Sequence, residues 1–368
     1  MKRTVASLLI CLLVTGCWDQ VQLKNLLFVD IIGIDYEEGN MQQLKVNYVI
    51  SSLQEANQGG GRPSSLYMES TGTNIYDAVS KTSKELPGVL SVLETRLYLI
   101  SAGFAKHEPL RHLDITSQFV SNPLYAYLAV YDGDLSKLLA KKKIKEQTVS
   151  NFLVGLLDEE IRRGTIPSNK LLHYILGGNL FMNDFALNRF EPYKDGARLA
   201  GTALFSNGRY TGVNLNSDDT QLVHLLHEST GKNQLMLIAG DVADLHYTAL
   251  VQHAKRDIHV ASDGERLREI AISLHLRVKL IENGSELKKH TEQMLTKAET
   301  AIAADLTAKS TKVMATLQQA NCDHLQLGHE VAAFHPHVYK KLNWREQYPR
   351  LSIKTKVHVQ ILNTGILE

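Results

Sequence analysis

Hydrophobic positions recur every second residue in some stretches of the chain and every third or fourth in others, and that change of period marks out the elements. Leu26 to Asp35 (LLFVDIIGID) is a short apolar run rich in β-formers, and Leu44 to Ser51 sets Leu44, Val46, Tyr48 and Ile50 against polar neighbours. Both read as strands, joined by a turn at EEGN. Gln54 to Ser65 (QEANQGGGRPSS) carries too much Gly and Ser for a core element and reads as a loop. A third strand, Leu66 to Ser70, leads to a helix capped by Thr73 that stops before Pro87 and Gly88. Thr95 to Ser101 then reads as a strand, Pro109 to Val120 as a helix and Tyr125 to Tyr131 as a strand. Strands and helices alternate after an antiparallel start, which predicts an α/β unit over residues 17–140.

AKKKIKEQ reads as a basic linker, after which Thr148 to Arg163 has helical spacing and LAGTALFSNGRYTGVNL holds two short strands around Asn207-Gly208. These define a middle unit, 141–232, closed by Gly231 to Asn233. In the last unit, 233–368, Glu269 to Glu282 is the clearest strand. Ile270, Ile272, Leu274, Leu276, Val278 and Leu280 fall on one face, so its sheet has one wet side. Glu286 to about Ala320 has few breakers and a helical recurrence through Leu287, Met294, Ala298, Ala301, Leu306, Val313 and Leu317. Leu351 to Ile361 closes the chain as a strand with Ile353, Val357, Val359 and Ile361 on one side, and it is expected to join the sheet of the 269–282 run. The prediction is a mixed α and β (α+β) protein of three domains, with antiparallel sheets and one long helix in the last. No internal repeat of fixed period is present.

The first twenty residues, MKRTVASLLICLLVTGCWDQ, follow a different logic. Lys2 and Arg3 precede an apolar stretch from Val5 to Val14, the order of an export signal. That stretch is too short for a permanent span, which needs about 20 apolar residues. Val14-Thr15-Gly16-Cys17 resembles a bacterial lipobox, so cleavage between Gly16 and Cys17 is expected to leave a diacylated Cys17 as the first residue of the mature chain, with 1–16 removed. Two acyl chains hold a protein on a bilayer where one holds it only marginally. The alternative is an ordinary signal peptide whose cysteine is incidental.

Composition narrows the chemistry. The chain has 368 residues, 44% hydrophobic, and a formal net charge of +1. That charge argues against nucleic acid as a partner, and the hydrophobic content suffices for real cores. Of three cysteines, Cys11 leaves with the signal and Cys17 carries lipid, so Cys322 stands alone and neither an intramolecular disulfide nor a multi-cysteine metal site is expected. His224 and His227, three apart on a probable helix, lack a third ligand at a supporting spacing, and His335-Pro336-His337 reads as a surface pair. Cys322 has His324 and His329 near it in sequence, but nucleophile and base are brought together by folding, and a buried inert thiol is the simpler reading. The chain contains no Gly-x-Ser-x-Gly elbow, His-Glu-x-x-His or P-loop, and the GGG at Gly59 to Gly61 follows no strand-to-helix pattern. No catalytic residue, metal ligand or cofactor is expected.

The two ends of the chain, CWDQVQLKNLLFVDIIGIDYEEG and GHEVAAFHPHVYKKLNWREQYPRLSIKTKVHVQILNTG, resemble the Ger(x)C family of spore germination lipoproteins, the C subunits of nutrient germinant receptors. Cys17, Trp18, Asp19, Gly33, Ile34 and Asp35 carry the first resemblance; Asp323, Gly328, Asn343, Trp344, Pro349 and Gly365 carry the second. TRLYLISAGFAK and GTALFSNGRYTGVNL agree more loosely. The sequence departs from the family pattern where His329 precedes Glu330 and in the glycine-rich 54–65 loop. The resemblance implies a three-domain protein without enzyme activity on the outer face of the inner spore membrane, acting with two integral-membrane subunits, of A and B type. Two other classes share the export signal and anchor. A solute-binding lipoprotein of a transporter would show two similar lobes around a cleft, and a cell-wall hydrolase would need paired carboxylates or a metal.

Overall fold

The computed structural model describes residues 25–52, 65–118, 123–175, 183–227, 236–242, 245–264, 266–281 and 292–363. The chain opens on the hairpin of β1 (Leu26–Glu37) and β2 (Asn40–Ser52), which turns at Gly39 with φ 75°, and β3 (Ser65–Gly72) adds to it antiparallel. The helix Ile75–Ser83 follows. Its cap is Asn74, one residue beyond the expected Thr73, because Asn74 is the last extended residue and its side chain accepts from the Asp77 N–H. Thr73 instead donates its own N–H to the Asp77 carboxylate at 3.0 Å, so the two orphan ends are satisfied reciprocally.

β4 (Val89–Ser91) and β5 (Leu97–Ser101) both pair with β1 in parallel, and β6 (Tyr127–Tyr131) pairs with β5 in parallel. Of the helix expected over Pro109 to Val120, the described residues form an α-helix at Pro109–Leu113 that tightens into a 3₁₀ turn at Asp114–Gln118, and the last two positions lie outside the described residues. β5 explains why the centre is parallel. All five of its residues are buried, with Leu97 and Leu99 in the core on one face and Tyr98 and Ile100 in the core on the other. A strand apolar on both sides needs helices over both. Val149, Leu153, Val154 and Leu157 of the helix Val149–Arg163 cover one face, and Ile75, Ala78, Phe104 and Leu171 from shorter helices cover the other.

The segment read as a basic linker is a tight hairpin, β7 (Lys143–Ile144) with β8 (Gln147–Thr148), turned through positive φ at Lys145 and Glu146. Ile144 is buried against Gly196, where a Cβ would lie 2.6 Å from its Cγ2, so apolar packing overrides the charge of the flanking lysines. The sheet also continues across the boundary placed at 140/141. β9 (Phe185–Tyr193) pairs in parallel with β6 through Ala129↔Asn188, Val130↔Arg189 and Tyr131↔Phe190, and β10 (Gly196–Ser206) and β11 (Arg209–Leu215) extend it antiparallel. Among the described residues this gives one nine-stranded sheet in the order β11-β10-β9-β6-β5-β1-β2-β3, with β4 off the path. Gly231 to Asn233, the expected end of the middle unit, lie outside the described residues.

The second sheet, β12 (Leu237–Val242), β13 (Leu245–Ser262), β14 (Leu267–Leu280) and β15 (Ser352–Asn363), is antiparallel up to β14, and β15 joins β14 in parallel. The long helix between them, described over Glu292–Gln319, runs along the free edge of β15. Thr307 Oγ1 accepts from the Val357 N–H at 3.0 Å and Glu299 Oε1 from the Ile361 N–H at 2.7 Å, which blunts an edge otherwise open to pairing. Glu286 and Leu287 lie outside the described residues. Met294 was expected in the apolar stripe but is exposed: Glu299 already reaches Ile361, two residues from the end of β15 at Asn363, and Met294 lies more than a turn earlier on the helix, past the described part of that strand. The buried stripe starts at Ile302 and runs through Leu306, Val313, Met314 and Leu317. The helix Ser217–His227 shares this core through Leu222, Val223, Leu225 and Leu226.

Candidate functional site

Cys17 and the cleavage position at Gly16, with Trp18 and Asp19, lie outside the described residues, which start at Asn25 directly before β1. The continuation of that motif is structural. Gly33 sits where a Cβ would come within 2.5 Å of Leu139 Cδ1, so β1 passes close under the Leu135–Leu139 helix. Ile34 is fully buried. Asp35 Oδ1 accepts from Ser101 Oγ at 2.5 Å and from the Tyr36 N–H at 2.8 Å, while Ser101 Oγ accepts from the Phe104 N–H at 2.9 Å. Gly-Ile-Asp therefore locks β1 to the end of β5 and to the helical turn that follows it.

The residues singled out near the other end converge on one buried junction. Asp323 follows the long helix and closes the start of the helix Leu327–Phe334, accepting from the Leu327 N–H (2.9 Å) through Oδ1 and from the Gly328 N–H (2.7 Å) through Oδ2. The Trp344 indole Nε1–H donates to the same Oδ2 at 2.9 Å. Gly328 is needed for that approach, since a Cβ there would stand 2.7 Å from Trp344 Nε1. Asn343 accepts at its backbone oxygen from the Glu346 and Gln347 N–H groups, starting the Trp344–Gln347 turn of helix, and Pro349 continues it as a 3₁₀ turn. That places Tyr348 inward, its hydroxyl donating to the Cys322 carbonyl at 3.1 Å. Gly365 lies outside the described residues.

Three residues that sequence reasoning missed join this junction to the first sheet. Asp184, just before β9, accepts from the Asp323 N–H (3.1 Å), the Asn207 N–H (2.8 Å) and Arg345 Nη2 (2.9 Å). Arg345 also donates to Ser206 Oγ at 2.8 Å, and that hydroxyl donates to the Asn321 carbonyl at 2.6 Å. Burial pushes the Asp323 carboxyl up to about 7, outweighing the N–H donors that favour its ionised form. Both carboxylates are engaged by donors, and together they clasp the start of β9 to the segment after the long helix. Arg345 lies next to Trp344 in sequence, and that adjacency was the available clue.

The remaining candidates fall into place around the clasp. Cys322 is fully buried, its sulfur directed at the Phe185 carbonyl at 3.6 Å, and burial raises the thiol well above its ordinary range, which makes it inert as a nucleophile. His224 is buried on the helix Ser217–His227, and His227 stacks on His324 with centroids 5.0 Å apart and planes 7° from parallel. These three line, with His173 and Asp184, a cavity of about 470 Å³. Among the described residues no group of three or more His, Cys, Asp or Glu side chains is arranged to hold a metal. His335 ends one helix and His337 lies exposed in the next, the Pro336–Tyr339 turn. His329 lies in the first turn of Leu327–Phe334.

Comparison with known proteins matches nearly all of the chain. The family model described as spore germination protein N-terminal domain matches residues 19–177, and the one described as spore germination B3/GerAC like, C-terminal, matches 200–365. Spore germination protein GerQC of Bacillus cereus is 19% identical over 376 residues, covering 100% of both chains. Spore germination protein KC of Bacillus subtilis (strain 168) is 22% identical, covering 98% of this chain and 95% of its own. The putative spore germination protein YfkR of the same organism is 22% identical over 77% of each. The crystal structure of the GerBC protein superposes with a TM-score of 0.58 at 16% identity, covering 90% of this chain and 97% of its own, a likeness of fold.

Proposed function

This chain belongs to the family of spore germination proteins built from GerAC-type N- and C-terminal domains, and on that premise we propose that it is a non-catalytic, lipid-anchored subunit of a spore nutrient germinant receptor. The observation that carries the reading is that the two family models, both of spore germination proteins, match residues 19–177 and 200–365. Diacylated Cys17 holds the chain on the outer face of the inner spore membrane, where it acts beside integral-membrane subunits of A and B type. Among the described residues no helix is long and apolar enough to cross a membrane, so the lipid is the attachment in this reading. The anchor confines the folded body to the membrane plane and raises its effective concentration near its partners, as a linker does for joined binding sites. The saturated carboxylates of the Asp184–Asp323 clasp and the buried Cys322 suit a protein that works by position and contact.

The test uses a strain in which this receptor is the only one left. Deleting the chain should abolish germination in response to that receptor's nutrients while vegetative growth continues, and Cys17→Ala should reproduce part of the loss with the protein released from the membrane fraction. Mass spectrometry of the mature N-terminus should find Cys17 carrying diacylglycerol. Normal nutrient germination without the chain would refute the receptor reading, and an unmodified residue 17 would refute the anchor.

A further inference from the structure

We infer that one end of the first sheet, the end at which its parallel strands begin, rests in the headgroup layer of the bilayer, so that β1 stands away from the membrane rather than lying along it. The inference depends on the lipid anchor proposed at Cys17. β1, β4, β5 and β6 run parallel, so their first residues share one end of the sheet. The pairings Leu27↔Ser52 and Ser51↔Ser65 bring the end of β2 and the start of β3 to the same place.

Four large apolar side chains that folding leaves in the open collect there: Leu66 is 46% exposed, Val89 49%, Leu93 53% and Tyr125 75%. The sheet pairings place them across that end, on separate strands and on both faces of the sheet. Val89 pairs with Leu26, Leu66 pairs with Ile50, which pairs with Val29, and Leu93 lies in the turn between β4 and β5. Tyr125 stands two residues before Tyr127, the residue paired with Leu97. Apolar side chains exposed across the width of one end of a domain can enter a bilayer interface together, each adding buried apolar area, and tyrosine, with an apolar ring and a polar tip, is suited to the headgroup level.

What covers this end follows from where the chain enters it. Asn25 is eight residues after Cys17, and eight extended residues reach at most about 28 Å. A diacylated Cys17 therefore keeps the start of β1 within that distance of the acyl chains, and the exposed apolar group sits around it. The opposite end of β1, at the turn through Glu38 and Gly39, is about 40 Å further along a strand of this length.

Depth-dependent quenching tests the orientation in the full lipidated protein. Cys11 leaves with the signal, Cys17 is consumed by the lipid and Cys322 is buried, so a cysteine introduced by Leu93→Cys, Tyr125→Cys or Glu38→Cys is the reactive thiol. Each variant is labelled with an environment-sensitive fluorophore and reconstituted into phosphatidylglycerol–phosphatidylethanolamine vesicles with brominated acyl chains. The label at 93 and at 125 should shift to the blue and lose most of its emission, and the label at 38 should do neither. Two variants at the apolar end keep the test valid if one fails to fold. Quenching at 38 as strong as at 93 would overturn the inference, as would quenching at none of the three while the protein still floats with the vesicles, the outcome expected if a protein partner covers this end. If the protein neither floats nor carries lipid on Cys17, the anchor reading fails and this inference with it; lipid on Cys17 with emission retained at 93 and 125 sinks this inference alone.

Discussion

Replacing Asp323 with alanine should loosen the clasp that joins the two halves of the molecule, and its cost follows from the hydrogen bonds that end on the carboxylate. Three N–H groups lose their acceptor: Leu327 at 2.9 Å, Gly328 at 2.7 Å and the Trp344 indole at 2.9 Å. A buried donor left unsatisfied costs about 1–3 kcal/mol, and loss of a helix-capping side chain costs about 1 kcal/mol. The three donors are neighbours and their losses overlap, while removing a buried carboxylate returns part of its desolvation cost. The net should be about 4 kcal/mol of destabilisation. Urea unfolding followed by tryptophan emission measures it, because the chain has two tryptophans and a Trp18→Phe background leaves Trp344 as the reporter inside the clasp. With an m-value of ~2 kcal/mol/M, the midpoint should fall by about 2 M. A fall below about 0.5 M, or an Asp323→Ala protein whose Trp344 emission maximum equals that of the parent, would show that the carboxylate is dispensable and the account of the junction wrong.

Two glycine substitutions should have opposite signs. Gly155→Ala, exposed in the helix Val149–Arg163 with nothing within 4 Å of the added Cβ, should stabilise by about 0.5–1 kcal/mol through helix propensity. Gly328→Ala, where the added Cβ meets Trp344 Nε1 at 2.7 Å and Cε2 at 2.8 Å, should destabilise by about 1–3 kcal/mol despite the same propensity gain; thermal unfolding compares them directly. The pH dependence should also trace to Asp323. Its carboxyl is raised to about 7 in the folded state against about 4 unfolded, so between those values the native state holds a proton that the unfolded chain has lost. Its contribution is therefore fully present below about pH 4 and is lost as pH rises through 7. Urea midpoints at pH 5 and pH 8 should show the parent gaining on acidification relative to Asp323→Asn, and equal slopes for the two proteins would remove Asp323 as the cause.

The chain's own order of residues determined what depends on a few neighbouring positions. Alternation from Ile270 to Leu280 sufficed to identify β14 and its buried face. Thr148 and Gly164 mark the ends of the helix Val149–Arg163, because one offers a hydroxyl to a helix N–H and the other takes φ 74° without strain. Asn207 and Gly208, at φ 51° and 75°, are the residue types that a tight hairpin between β10 and β11 selects. The motif residues Asp323, Gly328 and Trp344 were visible one by one, but their meeting at a single carboxylate was not. Tertiary structure decided which surfaces had to be buried together. The basic run 140–147 reads as solvent-exposed on charge alone, yet Ile144 finds an apolar site beside Gly196 and the run closes as a hairpin. β9 is far from β6 in sequence, but its Phe185, Leu187 and Phe190 supply both faces that a central parallel strand must cover, so the sheet passes through the expected boundary. Asp184 and Arg345 are 161 residues apart, and nothing local to either specifies the other. Periodicity and capping are written within a turn or a strand, whereas the partner of a buried carboxylate such as Asp184 exists only once a distant surface has folded against it and supplied a donor.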